Sequence, residues 1–171
     1  VEALAHDCDR VVLVGTSFGA EAALVTASHT PRVEAVAAFA PSDVVWAGVT
    51  DQGRQTSHWT VAGDPVPFVP FDESAEPQGD PPAFVSVYRR SRRRAPEAAA
   101  AAAIAVERIA QVLCVAGGDD AIWPSVEHAE AIRDRRLARG LTTERVVDPL
   151  AGHRAVLPGE DVVTAGARMA R

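Results

Sequence analysis

The chain has 171 residues, a hydrophobic fraction of 47% and a formal net charge of −6, which is the size and composition of one globular domain. This hydrophobic fraction excludes disorder over the whole chain, and the acidic balance argues against a general nucleic-acid or membrane-surface binder. The sequence shows no signal peptide and no apolar run long enough to span a bilayer, so we expect a cytoplasmic protein. Neither Cys8 nor Cys114 has metal-ligand spacing, and we expect both to be reduced, mostly buried thiols.

The hydrophobic pattern alternates between strands and helices along most of the chain. Short apolar runs rich in β-branched residues predict four strands, at residues 11–14, 33–39, 110–118 and 143–150, and we expect the first to be buried on both faces and the second to be buried. Alanine-rich or amphipathic segments predict three helices. One starts near residue 19, and the other two cover residues 96–110 and 124–140. Because strands and helices alternate, we expect an α/β fold with a mostly parallel sheet of about four strands and flanking helices.

Residues from 44 to about 95 interrupt this alternation. The segment is rich in proline, glycine and aromatic residues, which excludes a core helix or a central strand. We expect a lid-like insertion within a single domain that covers residues 1–171. Trp46, His58 and Trp59 are candidates for contact with a substrate, and packing inside the lid is the alternative.

A cluster of arginines lies near the end of this insertion, in the stretch YRRSRRRAP. One interpretation is a cationic contact for an anionic substrate, such as a phosphate of coenzyme A. The other, which the sequence alone favours, is a solvated run of charge in a loop. The residues concerned are Arg89, Arg90, Arg92, Arg93 and Arg94.

A serine lies between two glycines where the first predicted strand gives way to a helix. The stretch from Gly15 to Gly19 matches the G-x-S-x-G pattern of a nucleophile turn. In such a turn the nucleophile, here Ser17, has a strained backbone, and side chains at the two glycine positions are expected to collide with the turn. The following helix N-terminus stabilises negative charge, and the backbone N–H of Phe18 is the expected oxyanion donor.

A serine nucleophile needs a general base and a carboxylate that orients the base. Asp120 follows the third predicted strand and His153 follows the fourth, so we expect both beside Ser17 at the carboxyl edge of one sheet. Asp119 is the alternative acid, and the sequence pattern favours Asp120. No two histidines have metal-ligand spacing, so we expect no metal site, and we expect no cofactor. Solvated roles are expected for three other histidines: His6, His29 and His128.

Several stretches together resemble one protein family. The resemblance is carried by GTSFGAEAAL, VEAVAAFAPSDVVWAGV, SHWTVAGDPVPFVPF, VAGGDDAIWPS and AGH. They are similar to the C-terminal catalytic domain of the acyl-CoA thioester hydrolase and bile acid-CoA:amino acid N-acyltransferase family, from Val11 to about Pro158. The serine and histidine motifs occur in α/β-hydrolases generally, and VVWAG and DPVPFVP narrow the match.

The resemblance implies hydrolysis of a small-molecule acyl thioester, such as a fatty acyl-CoA, through an acyl-enzyme. Ser17 would attack the thioester carbonyl, His153 would take and return the proton, and Asp120 would hold the imidazole tautomer. Acyltransferase members of the family use cysteine as nucleophile, and a serine at this position favours water as the acceptor. Two alternatives stay open: a dienelactone-hydrolase-like esterase or serine peptidase with the same triad, and an inactive fragment.

The resemblance also implies that the chain is the C-terminal half of an α/β-hydrolase fold. In that fold the nucleophile strand is the fifth of eight, whereas here it begins at Val11. We therefore expect the earlier strands and one oxyanion donor to be missing. The first strand would then form an exposed apolar sheet edge through which the chain self-associates.

Overall fold

The computed structural model of the protein describes residues 1–154; residues 155–171, which include the end of the predicted domain and Pro158, lie outside the described residues. The helices are α1 (Glu2–Asp7), α2 (Phe18–His29), α3 (Val85–Arg94), α4 (Pro96–Ala101) and α5 (Ser125–Leu137), with a short 3-10 helix at Val106–Arg108. The strands are β1 (Val11–Thr16), β2 (Val33–Phe39), β3 (Ala47–Val49), β4 (Gln55–Ser57), β5 (Thr60–Val61), β6 (Asp64–Pro65), β7 (Gln111–Gly117) and β8 (Glu144–Asp148).

Four of these strands form one parallel sheet in the order β1-β2-β7-β8. The register aligns their carboxyl ends, with Thr16 beside Phe39, Phe39 beside Val115, and Gly117 beside Asp148. The continuous apolar runs that predicted these strands are typical of a parallel sheet, whose strands are joined by helical crossovers. The predicted α/β fold class and the four predicted sheet strands are therefore confirmed.

Helix α2 packs on strands β1 and β2, and helix α5 packs on strand β7. Leu24 of α2 and Ile132 of α5 are fully buried, as is Cys114 of β7. Cys8 is exposed, so the prediction of a buried thiol was wrong there, because Cys8 caps the end of α1 before the sheet begins. Val12 and Val14 are 52% and 66% exposed, so the prediction that β1 is buried on both faces was wrong, because β1 is an edge strand of the described sheet.

A buried arginine holds the C-terminal end of α5. The Arg136 guanidinium donates to the carbonyl oxygens of Val106 at 2.7 Å, Ile109 at 2.5 Å and Thr142 at 2.9 Å. Burial lowers the pKa of the Arg136 guanidinium below its ordinary value. Carbonyl dipoles supply the hydrogen bonds that the buried charge would otherwise make with water. This side chain thereby ties α5 to the segments that lead into β7 and β8.

The helix predicted over residues 96–110 is only partly present, and the rest of that prediction was wrong. Helix α4 ends at Ala101, because Ala102 and Ile104 bond to a neighbouring segment instead. The Val45 N–H donates to the Ala102 carbonyl at 2.9 Å, and the Ile104 N–H donates to the Asp43 carbonyl at 3.0 Å. Tertiary pairing has therefore overridden the high helix propensity of the alanine run.

The chain divides into two compact units. Unit 1 comprises Val1–Asp43, Ile104–Asp120 and Ser125–Arg171, and unit 2 comprises Val44–Ala103 and Ala121–Pro124. Unit 2 contains two antiparallel hairpins, β3–β4 and β5–β6, together with α3 and α4. Unit 2 contains the segment that the sequence indicates as a lid, residues 44 to about 95, and its role as a lid stays a prediction. No helix within residues 1–154 is both long and apolar enough to cross a membrane.

Helix α3 carries the five arginines of the cluster that the sequence shows. They lie on a helix and not in a loop, so the interpretation of a charge run in a loop was wrong about the local structure. A contact between these arginines and an anionic substrate stays a prediction.

Candidate active site

Ser17 lies on the turn between β1 and α2 and has a strained backbone. Its φ of 59° and ψ of −128° are unusual for a residue other than glycine, and such a conformation costs about 1 to 3 kcal/mol. The Ser17 N–H donates to the Phe39 carbonyl at 2.9 Å, which anchors the turn to the neighbouring strand β2. The hydroxyl makes no capping bond to α2, although Ser17 occupies the N-cap position. The fold thus directs this hydroxyl elsewhere.

The two glycines that flank Ser17 have different structural roles. A Cβ on Gly15 would lie 2.7 Å from the Ala20 backbone nitrogen and still closer to the Gly19 carbonyl, so only glycine fits there. A Cβ on Gly19 would meet nothing within 4 Å. The collision expected from the sequence is therefore present at Gly15, and the same expectation was wrong for Gly19, because the Gly19 Cβ position points into open space.

Ser17, His153 and Asp120 form a continuous chain of hydrogen bonds. His153 Nε2 lies 2.8 Å from the Ser17 hydroxyl oxygen, and His153 Nδ1 lies 3.0 and 2.9 Å from the two Asp120 carboxylate oxygens. The side chains of His153 and Asp120 are 2% and 3% exposed. This arrangement suits the tautomer with the proton on Nδ1, so that Nε2 accepts from the serine hydroxyl.

The structure places Asp120, and not its neighbour Asp119, against the imidazole of His153. The Asp119 residue is exposed, and its backbone N–H donates to the Ala151 carbonyl at 3.0 Å. That bond holds the loop after β7 against the loop after β8. Asp119 thus contributes its backbone to the turn, while Asp120 contributes its carboxylate to the site.

Two adjacent glycines, Gly117 and Gly118, let the His153 loop lie on the end of β7. A Cβ on Gly118 would lie 2.7 Å from Pro149, and a Cβ on Gly117 would overlap the carbonyls of Ala151 and Gly152. The Gly118 N–H also donates to the Asp148 carbonyl at 2.8 Å. The repeated glycine after a predicted strand was the available sequence signal for this close approach.

Phe18 is the first residue of the twelve-residue helix α2, directly after Ser17. The helix dipole places partial positive charge at the first turn of a helix. The position is therefore suited to an oxyanion donor, as the sequence pattern predicts.

The three predicted substrate contacts, Trp46, His58 and Trp59, all belong to unit 2. Trp46 is fully buried, stacked on Phe71 at 5.7 Å and edge-on to Tyr88 at 4.7 Å between ring centroids. His58 is exposed, and its ring lies 5.8 Å from the half-buried ring of Trp59. Packing within unit 2 accounts for Trp46, and contact of any of the three with a substrate stays a prediction.

His128 is fully buried, so its predicted solvated role was wrong. Its Nδ1 lies 2.5 Å from a carboxylate oxygen of Asp43, which is also fully buried. Arg135 donates to the other Asp43 carboxylate oxygen at 3.2 Å and to the Ile104 carbonyl at 2.6 Å. The spacing of the buried residues on α5 could have placed His128 inward, but its distant partner carries no local signal.

The residues that the structure describes hold no group of three or more His, Cys, Asp or Glu side chains arranged to bind a metal ion.

A parallel sheet with flanking helices, and a serine on a strained strand-to-helix turn at its carboxyl edge, define a domain of the α/β-hydrolase type. The chain belongs to the BAAT / acyl-CoA thioester hydrolase C-terminal family, whose model matches residues 5–164. The family resemblance stated from the sequence is thereby confirmed.

Among solved structures, the chain is similar to a dienelactone-hydrolase-like protein from Klebsiella pneumoniae subsp. pneumoniae MGH 78578, with 17% sequence identity and a TM-score of 0.42. That alignment covers 83% of this chain and 40% of the other chain. The chain therefore spans less than half the length of that protein. A search of the curated proteins found no match.

Proposed function

We propose that this chain carries the catalytic site of a serine hydrolase that cleaves acyl thioesters, of coenzyme A or a related thiol, through an acyl-enzyme intermediate. The observation that carries the proposal is the hydrogen-bond chain from Asp120 through His153 to Ser17, with each distance between 2.8 and 3.0 Å. Such a chain is the arrangement in which an imidazole can remove the proton from a serine hydroxyl. Membership of the acyl-CoA thioester hydrolase family supports a thioester as the substrate.

In the first half of the reaction, the Ser17 oxygen attacks the thioester carbonyl carbon while His153 Nε2 takes the hydroxyl proton. The carbonyl oxygen becomes an oxyanion, toward which the Phe18 N–H donates. The tetrahedral intermediate collapses, the carbon–sulfur bond breaks, and His153 returns its proton to the departing thiolate. Throughout the reaction, Asp120 accepts the hydrogen bond that the His153 Nδ1–H donates, and it stabilises the imidazolium.

In the second half, a water molecule gives a proton to His153 and attacks the acyl-enzyme carbonyl. His153 then returns the proton to the Ser17 oxygen as the carboxylic acid is released. A thiolate is a much better leaving group than an alkoxide or an amide anion. Its departure therefore depends less on protonation by His153. This difference supports thioesters over oxyesters and peptides as substrates.

The direct test is covalent labelling followed by a substrate panel. We expect one fluorophosphonate adduct by intact mass, mapping to Ser17 and absent from Ser17→Ala. The purified chain is then offered an acyl-CoA, the methyl ester of the same acyl group and a peptide amide of that acyl group. Preferred turnover of the thioester supports the proposal, and preference for the oxyester or amide overturns the substrate class in favour of an esterase or peptidase. Neither adduct nor turnover from a folded sample overturns the proposal in favour of an inactive fragment.

The assignment of the acid has a matched control in the neighbouring aspartate. Asp120→Asn should lower kcat by about 10³ to 10⁴-fold, because the amide no longer selects the productive histidine tautomer. Asp119→Asn should change kcat by less than about threefold, because that residue contributes its backbone N–H, which the substitution keeps. Steady-state kinetics on the same thioester measures both, and equal losses would mean that the acid is wrongly assigned.

A further inference from the structure

Unit 1 contains a second buried aspartate–histidine pair, outside the triad. The carboxylate of Asp43 and the imidazole of His128 are both fully buried, and His128 Nδ1 lies 2.5 Å from one Asp43 oxygen. The Arg135 guanidinium donates to the other Asp43 oxygen at 3.2 Å. Because His128 and Arg135 both belong to α5, this helix satisfies both oxygens of the Asp43 carboxylate. The proposed reaction uses none of these three side chains.

Stability alone does not account for this pair. Removing a carboxylate from water is costly, and hydrogen bonds inside the protein only offset that cost. Apolar side chains of similar volume often give a protein that is equally stable or more stable. What a buried ionic pair adds is one fixed arrangement of the two segments that it joins, because each charged atom requires its partner. The role of the pair therefore depends on what those two segments carry.

The first segment is the turn after β2, which supports the nucleophile. Phe39, the last residue of β2, accepts the Ser17 N–H at 2.9 Å. The next residue, Ala40, has a φ of 43°, and its N–H donates to the Val115 carbonyl of β7 at 2.8 Å. A residue other than glycine keeps such a strained backbone only where its surroundings hold it in place. Asp43 ends this turn and ties it to α5.

The second segment is the first turn of α5, which follows the loop that carries Asp120. Ser125, the first residue of α5, donates its hydroxyl to the Gly117 carbonyl at 3.3 Å and so joins the helix to the end of β7. His128 lies about one helical turn further on. A displacement of this turn would therefore move one end of the Asp120 loop.

We propose that the Asp43–His128 pair positions the triad: it fixes the turn that supports the nucleophile relative to the loop that carries the acid. The inference rests on the proposed function, because the triad is the group that the pair positions. It does not depend on whether the substrate is a thioester. A displacement of about 1 Å in a catalytic group lowers the rate by about 10²-fold, so a small movement at either segment has a large effect.

The test replaces the pair by apolar side chains and measures stability and reactivity separately. Asp43→Leu combined with His128→Leu leaves no unpaired partner, so we expect a folded chain with a nearly unchanged urea midpoint. Fluorophosphonate labelling of Ser17, timed by intact mass, should nevertheless be about 10²-fold slower. His128→Asn keeps an N–H donor near the position of Nδ1, and its labelling should stay within about fivefold of the unmodified chain. Normal labelling in the double variant, or no recovery in His128→Asn, overturns the proposal.

Arg136→Met is the matched control, because Arg136 is also buried on α5 but binds carbonyls at the other end of the helix. We expect a lower urea midpoint for this variant, with labelling within about threefold of the unmodified chain. Slowing equal to that of the Asp43/His128 variant would mean that any loss of packing around α5 impairs the site, and it overturns the proposal.

A second measurement separates failure of this inference from failure of the proposed function. In a chain with isotopically labelled histidine, the NMR signal of the His153 Nδ1–H reports its hydrogen bond to Asp120, whether or not Ser17 reacts. This signal should be the same in Arg136→Met as in the unmodified chain, and displaced or lost in the Asp43/His128 variant. An unmodified chain that does not label overturns the proposed function, and the His153 signal then decides the inference. An unchanged His153 signal in the Asp43/His128 variant overturns the inference.

Discussion

Replacing Gly15 by alanine tests whether the nucleophile turn depends on one close backbone approach. The added methyl carbon would lie 2.7 Å from the Ala20 nitrogen, whereas ordinary contacts begin near 3.4 Å. The obstacle is backbone on the first turn of α2, which cannot rotate away as a side chain can. Either β1 or the start of α2 must therefore move by at least about 0.7 Å at the Ala20 nitrogen and by more at the closer Gly19 carbonyl, and Ser17 lies between them.

The size of the effect follows from that shift. Overpacking of this kind costs about 1 to 3 kcal/mol in the free energy of unfolding. A misplacement of about 1 Å in a catalytic group lowers the rate by about 10²-fold. We therefore expect Gly15→Ala to remain folded at room temperature, with a lower urea midpoint and about 10²-fold slower fluorophosphonate labelling of Ser17.

Gly19→Ala is the matched control, because its methyl group meets nothing within 4 Å. Gly19 lies within α2, where alanine is favoured over glycine by up to about 1 kcal/mol. We expect unchanged or slightly higher stability, and labelling within about twofold of the unmodified chain. Urea unfolding followed by circular dichroism measures stability, and timed intact-mass spectra measure labelling. Normal labelling in Gly15→Ala, or equal losses in both variants, would refute the steric argument.

Three further predictions concern the rest of the fold. Arg136→Met should lower the free energy of unfolding by at least about 2 kcal/mol, because several buried carbonyls lose their donor; an unchanged urea midpoint would contradict this. Burial raises the pKa of Cys114 to about 12, so it stays a protonated thiol at pH 8 and a disulfide reagent should modify only Cys8 in the native chain. Rapid modification of two thiols per chain would show that the buried site opens. We propose that the exposed β1 edge causes self-association, so Val14→Lys should shift the size-exclusion profile toward monomer, and a monomer at every concentration without the substitution would count against it.

The sequence predicted the elements whose signals are local. Apolar runs rich in β-branched residues located β1, β2 and β7, and the shorter Val146–Val147 pair located β8, because such residues are typical of strands in a parallel sheet. The G-x-S-x-G stretch located the Ser17 turn, because its glycine requirement comes from atoms only four or five residues away. Strand order then brought Asp120 and His153 to the same edge as Ser17, since aspartate and histidine both follow the carboxyl ends of parallel strands.

Contacts between distant segments were not predictable from the same patterns. His128 is buried because Asp43, 85 residues away, accepts its hydrogen bond, and a helical pattern contains no information about that partner. The alanine run after Pro96 leaves the helix because Asp43 and Val45 offer backbone bonds to Ile104 and Ala102. In both cases a pairing with the segment after β2 decided the outcome against the local preference.

The position of the loop that carries His153 determines at which stage of folding the site forms. β2 and β7 separate β1 from β8, so at about 4.8 Å per strand the loop must return across roughly 14 Å to reach Ser17. The contact between His153 and Ser17 joins residues 136 positions apart. Closing so long a loop is entropically costly until the intervening sheet has formed. Under the proposed mechanism, a newly made or partly unfolded chain therefore holds an unreactive serine, and we expect the rate of acylation to report whether folding is complete.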